Sequence, residues 1–167
     1  MSMLRWAALI LCLAGPVGAE DATINYAQGD AVMDAAIAEA RATLPIFLRN
    51  ALDAKGVSLD DALVKVALPT EPGSPTSVEH IWVAPFARLP DGSFSGLLAN
   101  EPVDLGPLRV GDKVEFTEDM ISDWHFNAPT GRYWGSYTSR VMYEEGAFGD
   151  ASFDQVFEAD PVPPDWR

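Results

Sequence analysis

Cysteine occurs once in the 167 residues, as Cys12, and histidine twice, as His80 and His125. Positive charge is scarce as well: 11 Lys and Arg stand against 25 Asp and Glu, a formal charge of -14. That imbalance excludes a nucleic-acid binder, whose affinity rests on neutralising phosphates with Lys and Arg, and an electrostatic hold on anionic lipid. The apolar run at residues 6–14 (WAALILCLA) spans nine residues, well short of the roughly 20 that a membrane-crossing helix needs. Apolar material is not short overall. Hydrophobic residues make up 48% and aromatics 10%, enough to bury a core and exclude a disordered acidic chain. The length suits a single domain.

Residues 1–19 have the anatomy of a secretory signal peptide. Arg5 gives the positive start, the run at 6–14 the apolar centre, and Val17-Gly18-Ala19 the small residues before a cut at Glu20. The expected location is therefore periplasmic or secreted. Leu11, large and directly before Cys12, argues against a lipidation site. Cleavage removes the one thiol, which excludes disulfides and cysteine nucleophiles, and it removes Arg5, which leaves -15 on residues 20–167. No membrane span is expected in the cleaved chain.

Residues 20–29 form a polar lead-in. Asp30 is then a candidate N-cap, followed by Met33, Ile37, Ala40, Leu44, Phe47 or Leu48, and Ala51 at helical steps of three and four. Pro45 is expected to kink or divide this helix, and Gly56 to cap its end. From Leu63 the period changes to two: Val64, Val66 and Leu68 share one face, Lys65 and Ala67 the other. Residues 78–86 (VEHIWVAPF) alternate with Val78, His80, Trp82, Ala84 and Phe86 on one side, and Asp91-Gly92 signals a hairpin turn back through residues 94–98. Residues 113–117, 120–126 and 132–142 complete the strands, with Tyr133, Tyr137 and Val141 on one face of the last. The expected fold is α+β: an N-terminal amphipathic helix packed on a curled antiparallel sheet or small barrel of five to six sequential strands. This single domain spans residues 30–143. Residues 144–167 form an acidic, proline-containing tail with seven carboxylates and one Arg, which carries -6. Its aromatics (Phe148, Phe153, Phe157 and Trp166) suggest that it folds back.

The ordered segments also carry a resemblance. They are Ala40-Arg41-Ala42-Thr43-Leu44-Pro45, Val64-Lys65-Val66, Glu79-His80-Ile81-Trp82-Val83, Asn100-Glu101-Pro102, Gly111-Asp112-Lys113-Val114, Ile121-Ser122-Asp123-Trp124 and Gly135-Ser136-Tyr137-Thr138-Ser139-Arg140. Together, from about residue 30 to 143, they resemble the bacterial domain-of-unknown-function family 2314, also called YegJ-like. The resemblance implies a fold and a small bacterial domain, and it brings no activity with it.

Catalytic sets are incomplete. Residues 92–96 (GSFSG) place Phe where a nucleophile elbow needs Ser, and no glycine-rich phosphate loop is present. A metal site would have to combine carboxylates with His80 and His125, and neighbouring strand residues such as Glu79 and His80 point to opposite faces. No cofactor or metal is expected. The polar residues that stand out in apolar strands are Glu79, His80, Asp123, Tyr137 and Arg140, which would be either a buried register-setting network or a ligand-gripping cluster. An Arg140 bond to Asp123 or Glu79 would be charge-assisted. Trp82 and Trp124 are expected in the core, and Trp134 is a candidate aromatic surface. Two functional readings follow. One is a non-enzymatic module binding an unknown protein or peptide partner, of basic character if the acidic surface meets it. The other is a small-molecule or glycan-acting enzyme using His80, Asp123 and Arg140.

Overall fold

The computed structural model describes residues 30–167, so the signal peptide and lead-in expected from sequence at residues 1–29 lie outside the described residues. Helix α1 (Ala31–Ala51) opens under the side chain of Asp30, which accepts from the backbone N–H of Val32 and Met33. These are two of the donors that a helix start leaves unsatisfied. Met33, Ala36, Ala40, Leu44, Phe47, Leu48 and Ala51 form its buried stripe. Pro45 lies on the exposed side of an undivided helix. The helix stops at Ala51, before Gly56, which instead turns the chain with φ +78° beside Arg88.

Six strands follow: β1 (Ala62–Pro69), β2 (Val78–Arg88), β3 (Phe94–Leu98), β4 (Lys113–Phe116), β5 (Ile121–Asn127) and β6 (Tyr133–Gly135). They form one antiparallel sheet in the order β4-β3-β2-β1-β5-β6. The sheet is open rather than a barrel. The first four strands are a sequential meander, but β5 returns across the molecule to pair with β1. A 3-10 turn at Glu118–Met120 precedes that return, and Arg41 of α1 fastens it by donating to the carbonyls of Ile121 (3.0 Å) and Asp119 (3.0 Å).

The expected last strand divides in two. Gly135 (φ 66°) and Ser136 (φ 52°) are both left-handed, and the chain leaves β6 to form helix α2 (Tyr137–Glu144). A Cβ on Gly135 would collide with the backbone and ring of Trp124, so only glycine fits there. The tail adds a one-turn helix α3 (Phe153–Val156) and a 3-10 turn at Pro164–Trp166. It packs on the domain, with Phe157 and Val162 buried.

Helix α1 covers one face of the sheet. Val64, Val66, Ile81, Val83, Phe86, Phe94, Leu98, Ile121 and Trp124 meet Phe47 and Leu44 there. Phe47 stacks on Trp124 with centroids 4.9 Å apart, and Trp124 Nε1 donates to Thr43 Oγ1 at 2.9 Å. Each such large apolar side chain contributes roughly 1.5–3 kcal/mol by leaving water.

Candidate functional site

The opposite face of the sheet has a different chemistry. Strand alternation sends Leu63, Lys65 and Ala67 of β1 away from α1, and the register sets Lys65 against Trp82 and Asp123, Ala67 against His80, and Leu63 against His125. His80 is exposed, and Trp82 and His125 are half-buried. Trp82 is therefore not a core residue, as expected from sequence, whereas Trp124 is. The reason is a register shift between Val83 and Phe86. Strict alternation back from the buried Phe86 puts Trp82 inside, and the irregularity reverses the phase, so Ile81 and Val83 take the inner face.

Asp123 anchors this side. It is fully buried and accepts from the backbone N–H groups of Trp124 (2.8 Å), Tyr137 (3.1 Å) and Thr138 (2.8 Å) and from Thr138 Oγ1 (2.6 Å). Ser136, the residue at the N-cap of α2, makes no side-chain cap. Asp123 supplies it from the neighbouring strand, where negative charge also suits the helix dipole. Lys65 Nζ donates to the same Thr138 Oγ1 at 3.0 Å and lies 4.5 Å from the Trp82 ring centroid. Burial pushes the Asp123 carboxyl above its ordinary value, opposed by the Lys65 charge and the Thr138 and Trp124 donors.

The two histidines are held differently. The Ser122 hydroxyl donates to the Lys65 carbonyl (3.2 Å) and so accepts from His80 Nδ1 (2.8 Å). Ser122 has no exposed surface, so the pair is not a nucleophile with its base. His80 is held below the usual histidine value by burial of part of the ring, then by the charges of Lys65 and Arg41. His125 Nε2 donates to Asn127 Oδ1 (3.0 Å), which assigns Nδ1 as acceptor from Ser136 Oγ (2.8 Å). Its ring lies 4.5 Å from Tyr133 and 5.9 Å from Trp82. Burial lowers its pKa, against the Asn127 bond and the Asp123 charge.

The remaining candidates lie elsewhere. Glu79 binds the backbone N–H groups of Val103 (2.9 Å) and Asp104 (2.8 Å), in the loop after β3. The Tyr137 hydroxyl is 3.0 Å from Thr43 on α1, and burial raises its pKa. Arg140 makes no ion pair with Asp123 or Glu79. It donates to the carbonyls of Gly135 (2.9 Å), Glu158 (3.0 Å) and Tyr133 (3.3 Å) and stacks over Phe157, because α2 aims it at β6 and the tail. Trp134 is half-buried and packs by Phe126 and Trp166 rather than offering a free aromatic surface. The Asp123 carboxylate thus meets Tyr137 only at its backbone N–H, His80 reaches the Lys65 backbone through Ser122, and Glu79 and Arg140 stand apart. Lys65, Ser122 and Thr138 are the members of the network that sequence reading passed over. The signal for Lys65 was a cation between two buried valines.

Among the described residues no group of three or more His, Asp and Glu could hold a metal ion. A shallow hollow of about 200 Å³ between β2, β3 and β4 is lined by Pro85, Ala87, Ser95, Leu97 and Lys113. It falls below the range of roughly 300–1,000 Å³ common for small-molecule sites.

A model of DUF2314, described as an uncharacterized protein conserved in bacteria, matches residues 30–155. The chain belongs to this family. The DUF2314 match contains α1, all six strands and α2, and it continues past residue 143 through most of α3. No curated protein and no solved structure matches the chain. Nothing in the DUF2314 description names an activity, so the chemistry has to be read from the open face itself.

Proposed function

We propose that this domain is an exported, non-catalytic module that binds a partner protein through the sheet face opposite α1, and that the partner presents an apolar patch with a basic rim. One observation carries this reading. On a chain with 25 carboxylates, the strand positions facing away from α1 hold only the buried Asp123 and the exposed Glu115. Exposed carboxylates gather instead at the strand ends, as Asp60, Asp61, Glu71, Glu101, Glu118 and Asp119. The centre of this face combines the rings of Trp82, His80 and His125 with Lys65 and Asp123, whose charges are taken up internally around Thr138. A centre poor in free charge inside a charged rim is the anatomy of a protein interface, and the sign of the rim selects the partner and speeds encounter. Export rests on the signal-peptide anatomy of residues 1–19, and no helix among the described residues is long and apolar enough to cross a membrane. Acid–base catalysis by His80, Asp123 and Arg140 finds no support, since Asp123 is sealed and Arg140 is committed to the tail.

The test is site-specific capture. A photocrosslinking residue replaces His80 in one full-length variant and the exposed Asp34, on α1, in another, in cells that make the protein. The expected result is an adduct of defined mass from position 80 that Trp82→Ala removes and position 34 does not form. Equal adducts from both positions, or none from position 80, would overturn the proposal. Intact-mass analysis of the envelope fraction checks export, the expected N-terminus being Glu20.

A further inference from the structure

The free edge of β6 is covered by the chain's own last residues. Phe157 bridges to Tyr133 in parallel register, Glu158 N–H donates to the Tyr133 carbonyl at 3.0 Å, and Gly135 N–H donates to the Pro161 carbonyl at 2.7 Å. Side chains anchor this strand-like segment at discrete points. The Glu158 carboxylate is received by Arg132 (2.9 Å) and Thr130 (2.6 Å). Trp166 fills a well formed by Phe47, Trp124, Phe126 and Trp134, and Arg49 donates to its carbonyl at 3.2 Å.

From this we infer that the β6 edge and the Trp166 well form a peptide-binding groove, occupied in cis by residues 157–166, that accepts an extended segment of a partner protein with the same order of groups. That order is an aromatic, a carboxylate next to it, a small apolar residue four positions on and Trp four beyond, as in Phe157, Glu158, Val162 and Trp166. The recognition is strand addition: main-chain bonds to a sheet edge supply affinity and side-chain receptacles supply specificity. Charge complementarity favours an acidic peptide, because Arg49, Arg132 and Arg140, three of the few cations on this chain, all point at the segment. Three features mark the segment as a ligand added to the domain. It is joined to β6 by few backbone bonds, it follows a connection with exposed residues at 144–146, 149 and 150, and the family match stops at residue 155, before every anchor. This groove is distinct from the open face at His80 and Trp82, so the position-80 crosslink is expected to survive every tail variant.

Two measurements on the full chain test the groove. Hydrogen exchange on the wild type is expected to show the amides of Gly135 and Glu158 opening together and faster than those of β1 and β2. Equal protection would mean that the segment leaves only on global unfolding, and would overturn the proposal. Second, a fluorescent synthetic peptide with the sequence of residues 156–167 is titrated against wild type, Trp166→Ala and Glu158→Ala. A site blocked in cis shows an affinity reduced by the fraction that is open. Roughly ten-fold or tighter binding is therefore expected for Trp166→Ala than for wild type, with a smaller gain for Glu158→Ala, which leaves the aromatic packing intact. Adding Arg132→Ala should weaken binding again. No gain in either variant, or a concentration-dependent dimer that excludes the peptide, would overturn the partner-peptide assignment.

Discussion

The two faces of one sheet are built on opposite principles. The face under α1 is held by shape, with Phe47, Phe86, Phe94 and Trp124 interleaved and almost no polar atom among them. The other face is held by a chain of hydrogen bonds from Lys65 through Thr138 to Asp123, and beyond that network it stays open. The comparison teaches where tolerance lies. A packed face resists any change of volume, whereas the open face concentrates its cost in one carboxylate and keeps Trp82 half-buried and His80 exposed.

The largest effect that tests this contrast is Phe47→Ala. It should cost about 3–5 kcal/mol, read from urea denaturation, because both stacked neighbours lose their partner. Next is Asp123→Ala, which strands the N–H groups of Tyr137 and Thr138 and removes the carboxylate on which the Lys65 charge acts. A loss of about 3 kcal/mol is expected, and Asp123→Asn, which keeps one acceptor, should lose less. If Asp123→Ala were silent, the network would not be what holds this face. Trp82→Ala should cost only about 1–2 kcal/mol, from its partial burial and the contact with Lys65, while abolishing capture at position 80. A cost as large as that of Phe47→Ala would make the open face a second core.

The smallest effect is a pH dependence. The His125 imidazole titrates below its ordinary value of 6.5 in the folded chain, so on acidification the unfolded chain takes up that proton first. Below pH 6.5 the unfolded state thus binds more protons and stability falls with pH. The raised Asp123 carboxyl acts with the opposite sign, so the His125 contribution is read as a difference: from pH 7 to pH 5 the melting temperature of wild type should fall relative to that of His125→Gln. A steeper fall in the variant would contradict the assignment.

Much of the fold was legible in the residues. The Asp30 cap, the α1 stripe, the alternation of β1 and the Asp91-Gly92 hairpin follow from local chemistry, and so does the α+β class. Helix α2 did not, because Tyr133, Tyr137 and Val141 recur every fourth residue, a spacing that fits a strand face and a helix face equally. The deciding signal was the left-handed pair Gly135-Ser136. Trp82 was misplaced for a related reason, since the irregularity that reverses β2 between Val83 and Phe86 has no sequence signature apart from Pro85. The candidate site was legible as a set of residue types and not as an arrangement. Asp123 and Arg140 were singled out because each is costly to bury, but which partner relieves each cost depends on tertiary contacts.

The strand order has a kinetic consequence. β1 meets β2 across a short loop, whereas Ser122 of β5 bonds to Lys65 across 57 positions. Loop closure makes distant pairings late and slow, so the meander of β1 to β4 should assemble first and β5 should join it last. Until it does, β1 presents a bare edge next to Lys65, and the carboxylate that Lys65 will face has not arrived. The nascent chain is therefore most open to wrong pairing along the strand that ends up at the centre of the sheet.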